Sequence, residues 1–178
     1  MSALSQITSS IRLGQMCTCN SYRNPAYLTK IASNIDVMSN GRLEFAIGAG
    51  WYDQEYKAYG YEFPSDGTRL KMLEESIQIY IEMMTHDKAS FNGKFYSIFE
   101  AINEPKPIQK PYPPLWVCGG GEKVTLKLLA RYGQFGNWDV DIDTFKNKSK
   151  ILQEHCDNEN RDFTSVIRTL HTNVIIGE

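Results

Sequence analysis

Three consecutive glycines, Gly119, Gly120 and Gly121, stand between the apolar run Leu115–Cys118 and a stretch with helical spacing. Where a strand hands over to a helix, glycines strip the turn of Cβ atoms. A bulky anion such as a phosphate can then reach the backbone N–H groups that open the helix. A tight turn without a ligand is the other reading of the same residues. The dinucleotide fingerprint G-x-G-x-x-G does not account for them, because Gly119 and Gly121 are followed by Val124 at the third position, just as Gly48 and Gly50 are followed by Asp53. The segment GGGEKVT also lacks the P-loop spacing.

Other chemistry-bearing residues are dispersed. Cys17 and Cys19 lie two apart in one apolar segment, and Cys118 and Cys156 stand alone, with no CxxC pair and no histidine at zinc spacing. No metal and no disulfide is expected. His86, His155 and His171 fall near a helix end, within a helix and in the last strand, and each reads as structural or solvated, so no catalytic acid or base is named.

The chain has 178 residues, enough for one domain with a core, and its 42% hydrophobic and 22% charged residues are those of a folded globular protein. A net charge of −2, a pI near 6.0 and scattered lysines and arginines give no footprint for nucleic acid or an anionic membrane. No run approaches the roughly 18 apolar residues of a membrane span, and MSALSQITSS lacks the segments of a signal peptide, so a cytoplasmic protein is expected.

The elements that must position the glycine turn alternate. IRLGQMCTC reads as a buried strand. Asn24 and Pro25 supply a cap and first-turn proline for a helix with Leu28, Ile31, Ile35 and Met38 on one face, ended by Asn40 and Gly41. RLEFAIGAG is the next strand, and after a polar connection Leu70, Leu73, Ile77, Ile81 and Met84 mark a second helix. Residues 87–114 interrupt the alternation. FNGKFY places Asn92 and Gly93 as a two-residue hairpin turn with positive φ, and EPKPIQKPYPP returns in extended form. Beyond the glycine turn follow a helix through Val124, Leu128, Leu129 and Tyr132, a strand GQFGNWDV, a helix around Phe145, Ile151 and Leu152, and a final strand SVIRTLHTNVIIG. The fold class is therefore α/β with about five parallel strands. An open doubly wound sheet suits that length, and a (β/α) barrel, which needs eight strands and about 250 residues, would be incomplete.

GRLEFAIGAGWYDQEYKAYGYEF, CNSYRNPAYLTKIASNIDVMS and EPKPIQKPYPPLWVCGGGEKVTLKLLARYG together resemble the luciferase-like monooxygenase family, and within it the oxidoreductases that use the deazaflavin coenzyme F420. The resemblance runs from about residue 8 to about residue 140. It implies a TIM (β/α)8-type barrel, here an incomplete one that lacks the first two strands and the last, in a single domain over residues 1–178 with a hairpin and Pro-rich insertion at 87–114. Five strands expose two sheet edges, so such a piece is expected to aggregate or to need a partner.

The resemblance also implies site residues. The glycine turn would contact the cofactor's phosphate through Gly119, Gly120, Gly121 and the backbone of Glu122 and Lys123, with the Glu122 carboxylate turned away and Lys123 attracting the anion. A cis peptide would join Met16 to Cys17 and support the flavin face. Thr18 and Asn20 would lie at the carboxyl end of that strand, the active-site face of a barrel; Asn20 as a simple turn cap is the alternative. Gly48 and Trp51 would wall the pocket, with loop packing the alternative for Trp51. In some deazaflavin dehydrogenases of the family a glutamate proton donor stands where Trp51 stands, which disfavours sugar-phosphate oxidation, and the acid–base histidine of relatives comes from a strand this chain does not hold. The implied reaction is hydride transfer between coenzyme F420 and a small organic substrate. An FMN-dependent monooxygenase is the alternative cofactor reading and a truncated cofactor-binding fragment the non-enzymatic one; the oligomeric state is not legible in the sequence, a homodimer being common among such barrels.

Overall fold

The computed structural model describes residues 1–173, 176 and 177, and its chain divides into two compact units, Met1–Pro114 and Leu115–Glu178. In the first unit, α1 (Ser2–Ile7), a helix not expected from the residue pattern, precedes β1 (Leu13–Gly14) and β2 (Thr18–Cys19). The predicted strand over residues 11–19 is thus two short strands, separated at the cis Met16–Cys17 peptide. Both run parallel to β3 (Leu43–Gly48), with Leu13 opposite Leu43 and Thr18 opposite Ile47. Leu43, Phe45 and Ile47 are buried.

Helix α2 (Pro25–Met38) starts where the sequence expects it. Asn24 Oδ1 accepts from the N–H groups of Ala26 and Tyr27 at 2.9 and 3.2 Å, satisfying two donors that the helix leaves open. The turn that ends it places Asn40 and Gly41 at φ of 55° and 75°. Its buried surface differs from the predicted apolar stripe. Met38 is exposed, while Thr29, Ser33 and Asp36 are buried beside Leu28, Ala32 and Ile35. The reason is the Pro-rich return: Ser33 Oγ donates to the Pro105 carbonyl, and Asp36 accepts from Gln109 N at 3.0 Å and Gln109 Nε2 at 2.7 Å. Polar residues with partners can occupy a buried helix face.

The connection after β3 contains a helix the sequence reading passes over, α3 (Asp53–Tyr59), closed by Gly60 at φ 73°. Helix α4 (Asp66–Thr85) is capped by Ser65 and stacks Tyr80 on Phe45 with ring centroids 4.4 Å apart. The insertion is an antiparallel pair, β4 (Ala89–Asn92) and β5 (Ser97–Ala101). Its turn corrects the expectation. Asn92 pairs with Ser97, so the loop is four residues long and neither Asn92 nor Gly93 has positive φ. The cause lies on α4, where the Glu75 carboxylate accepts from the N–H groups of Lys94, Phe95 and Tyr96 at 2.7–3.0 Å and sets the loop's geometry.

The second unit holds β6 (Leu115–Cys118), β7 (Phe135–Trp138) and β8 (Ile167–Leu170), parallel and in that order, with α5 (Thr125–Tyr132) and α6 (Ile142–Asn158) between them. Gly136 lets α5 approach β7 closely, since a Cβ there would fall 2.4 Å from Leu129 Cδ2. Val124 precedes α5 as its N-cap and is exposed instead of joining the predicted buried face. The final strand ends at Leu170; of its predicted continuation, Val174 and Ile175 lie outside the described residues. Among the described residues, no helix is long and apolar enough to cross a membrane.

Candidate functional site

In the first unit the candidate residues gather where β2 and β3 end side by side, Cys19 opposite Gly48. Met16 is exposed, Cys17 half-buried and Thr18 buried, with the cis bond between the first two. Asn20 is almost fully buried. Its Nδ2 lies 3.4 Å from Tyr96 Oη of the insertion, and its Oδ1 is buried without a partner. The capping alternative for Asn20 fails, because Asn24 caps α2 and the 3-10 turn Asn20–Tyr22 has no side-chain cap. An orphaned buried carbonyl oxygen calls for a donor.

Gly48 is followed by a sharp turn with Gly50 at φ 84°. Trp51 is 82% exposed and leans on Tyr52 with centroids 5.2 Å apart, so it is not packed into the core. Tyr56, which the sequence reading overlooks, lies beneath the turn with Oη 3.1 Å from Cys19 Sγ and 2.9 Å from Ser21 Oγ. Burial, then the Cys19 contact, pushes its phenol up to about 12. Tyr22, whose hydroxyl donates to Glu55 at 2.7 Å, is also raised, by burial first and by that carboxylate second. Arg69 is buried with its guanidinium 3.9 Å from the Phe63 ring centroid and its Nε donating to the Gly50 carbonyl at 3.2 Å.

In the second unit the glycine turn caps the carboxyl end of β6. Gly119 has φ 117°, which favours glycine, and a Cβ on Gly121 would fall 2.9 Å from Thr125 Oγ1. Helix α5 opens with no side-chain cap, unlike α2, α4 and α6; the Leu126 N–H turns back to the Gly121 carbonyl at 3.0 Å, and the N–H groups of the turn itself face no side-chain acceptor of a capping residue. A second basic residue, without a signal in the sequence, stands at the turn in addition to Lys123. Lys123 is exposed, whereas Lys148 of α6 reaches back to the Gly120 carbonyl at 2.7 Å and the Glu122 carboxylate at 3.2 Å. His155 Nε2 lies 2.8 Å from the Glu122 carbonyl. Nothing in local spacing links residues 28 positions apart, so Lys148 carried no sequence signal. Glycines without Cβ atoms, open N–H groups and an ammonium nearby are the donor set a phosphate needs. The remaining histidines are at the surface: His86 pairs with Glu82 and His171 with Asp139.

Comparison with known proteins follows this geometry. A family model described as luciferase-like monooxygenase matches residues 1–178. An uncharacterized protein of Mycobacterium tuberculosis is 30% identical over 159 residues, covering 86% of this chain and 53% of that protein. The FMNH(2)-dependent dimethylsulfone monooxygenase of Pseudomonas putida is 30% identical over 61% of the chain and 30% of its own length. The F420-dependent glucose-6-phosphate dehydrogenase of Amycolatopsis mediterranei is 29% identical over 75% of the chain and 39% of its own length. Among solved structures, an F420-dependent secondary alcohol dehydrogenase superposes with a TM-score of 0.84 at 25% identity over 94% of the chain and 51% of that chain. The coenzyme F420 dependent tetrahydromethanopterin reductase of Methanopyrus kandleri, at 17% identity and a TM-score of 0.86, covers 96% and 52% and shares the fold. The chain thus has the α/β fold of a (β/α)8-type barrel and spans at most about half the length of the relatives named. With the family model matched along all 178 residues, the chain belongs to the luciferase-like monooxygenase family.

Proposed function

We propose that this protein is an oxidoreductase that binds a deazaflavin, coenzyme F420, and transfers hydride between it and a small organic substrate. The observation that carries the reading is the glycine turn Gly119–Gly121, free of Cβ atoms, opening an uncapped α5. In the second unit the turn and the backbone of Glu122 and Lys123 receive the cofactor's phosphate, and Lys148 partly offsets the Glu122 charge. In the first unit Met16, Cys17 and Thr18 would support the ring, the unpartnered Asn20 Oδ1 would be available to accept from it, and Gly48 and Trp51 would bound the substrate side. When bound, coenzyme F420 supplies two-electron hydride chemistry at its C5. The chain's residues orient it and exclude water. Trp51, carrying no acid, suits a substrate that is not a sugar phosphate.

An FMN-dependent monooxygenase is the second reading, favoured by the similarity to the FMNH(2)-dependent enzyme of Pseudomonas putida. Both cofactors present a phosphate to the same turn. Titration of the protein with F420 and with FMN, followed by ligand fluorescence, separates them. A Gly120→Val variant tests the cradle, because the three nearest atoms to a Cβ at Gly120 all belong to the flexible Lys148 chain, the closest at 3.3 Å, so the fold is expected to accommodate it. Affinity for the preferred cofactor is expected to fall at least about tenfold, with an unchanged thermal melt. Unchanged affinity removes the phosphate assignment, and failure to bind either cofactor removes the whole reading.

A further inference from the structure

Tyr56 belongs to α3, outside the strand–helix alternation, yet its side chain is completely buried and its hydroxyl touches the ends of two strands. Oη donates to Ser21 Oγ at 2.9 Å, lies 3.1 Å from Cys19 Sγ at the end of β2, and lies 3.4 Å from the carbonyl of Ala49, just beyond β3. A phenol has one hydrogen to give. With Ser21 accepting it, the Cys19 thiol donates to the phenol oxygen. The turn after β3 is fitted to this hydroxyl: a Cβ on Gly50 would lie 2.0 Å from Oη and 2.7 Å from Cys19 Sγ. The ring has no room to retreat. Tyr22 and Phe63 meet it edge-on at centroid distances of 4.9 and 4.7 Å, and Arg69, stacked on Phe63, holds the Gly50 carbonyl.

We propose that Tyr56 is a positioning residue of the ring-binding end of the site: its hydroxyl fixes the distance between the Thr18–Asn20 backbone and the Gly48–Trp51 turn and holds Cys19 as a bonded thiol. The effect on ligand binding rests on the flavin-type reading above; the hydroxyl–thiol bond does not. A phenol is protonated at neutral pH in any case, and burial raises it further, so Oη keeps the hydrogen it gives to Ser21.

The test uses Tyr56→Phe, which keeps the ring and deletes Oη, with three measurements on the full chain. These are the thermal melt, the fluorescence-titrated affinity for F420 and for FMN, and the alkylation rate of Cys19 by iodoacetamide mapped by peptide mass. The expected result is a folded protein whose cofactor affinity drops about tenfold and whose Cys19 alkylates several times faster than in the wild type. A parallel pair removes dependence on that variant's folding. Cys19→Ser preserves a donor and is expected to keep wild-type affinity, whereas Cys19→Val is expected to reproduce the tenfold loss. An unchanged alkylation rate in Tyr56→Phe overturns the clamp, and so, where the wild type binds a cofactor, do equal affinities in Cys19→Ser and Cys19→Val. Faster alkylation with unchanged affinity overturns the positioning role while leaving the bond. If the wild type binds neither cofactor, the flavin reading fails, and the alkylation rate still decides whether the clamp exists.

Discussion

At the scale of residues, the first unit's site depends on a backbone that only glycine can supply. Gly50 combines φ 84° with the Tyr56 hydroxyl where a Cβ would stand. Placing a non-glycine residue in the left-handed region costs on the order of 1–3 kcal/mol before any clash. Gly50→Ala is therefore expected to lose at least that much in urea unfolding, and a loss below about 0.5 kcal/mol would show that the turn relaxes freely. Gly120 is the contrasting case, since its φ is not in the left-handed region and the atoms nearest to a Cβ there belong to a flexible lysine chain. The two glycines separate a structural need from a ligand-binding one. Lys148 teaches a related point: a cation bonded to the turn comes from a helix 28 residues downstream, while the adjacent Lys123 is exposed.

At the scale of elements, short-range chemistry was legible and long-range chemistry was not. Asn24 followed by Pro25 announces α2 in the sequence, and the structure makes both cap bonds. Asn24→Ala is expected to cost about 1 kcal/mol, read as a lowered urea midpoint with an unchanged slope. The glycine turn, the alternation of strands and helices and the insertion were equally readable, because caps, turn glycines and apolar periods act within a few residues. Helix α3 escaped because Tyr56 is its only buried residue, so DQEYKAY shows no apolar stripe. The polar face of α2 escaped because the partners of Ser33 and Asp36 lie more than 70 residues away in the Pro-rich return, while Thr29 turns its hydroxyl onto the Pro25 carbonyl of its own helix. The hairpin turn was misread for the same reason: Glu75, on another helix, overrides the local preference of Asn92–Gly93.

At the scale of the whole molecule, burial of phenols makes stability depend on alkaline pH. Tyr56 is raised to about 12, and Tyr80 and Tyr96 are also raised, chiefly by burial. In the unfolded chain these groups ionise near 10. Folded pKa values above unfolded ones mean that the folded chain holds its protons more tightly. The contribution is therefore complete below pH 10 and is lost as pH rises through each folded value, about 12 for Tyr56. Melting temperatures should hold steady up to about pH 9 and fall steeply between pH 10 and 12, with a smaller fall in Tyr56→Phe; a flat profile across that window would contradict the assignment. The Glu75 carboxylate has a different consequence, for protease accessibility. One side chain pins three successive amides at the tip of the insertion, and Lys94, a trypsin cleavage residue, is the first of them. A protease must draw its substrate into an extended strand, so the intact tip should resist nicking after Lys94. Glu75→Ala should release it, giving two fragments of predictable mass from a protein whose core stays folded.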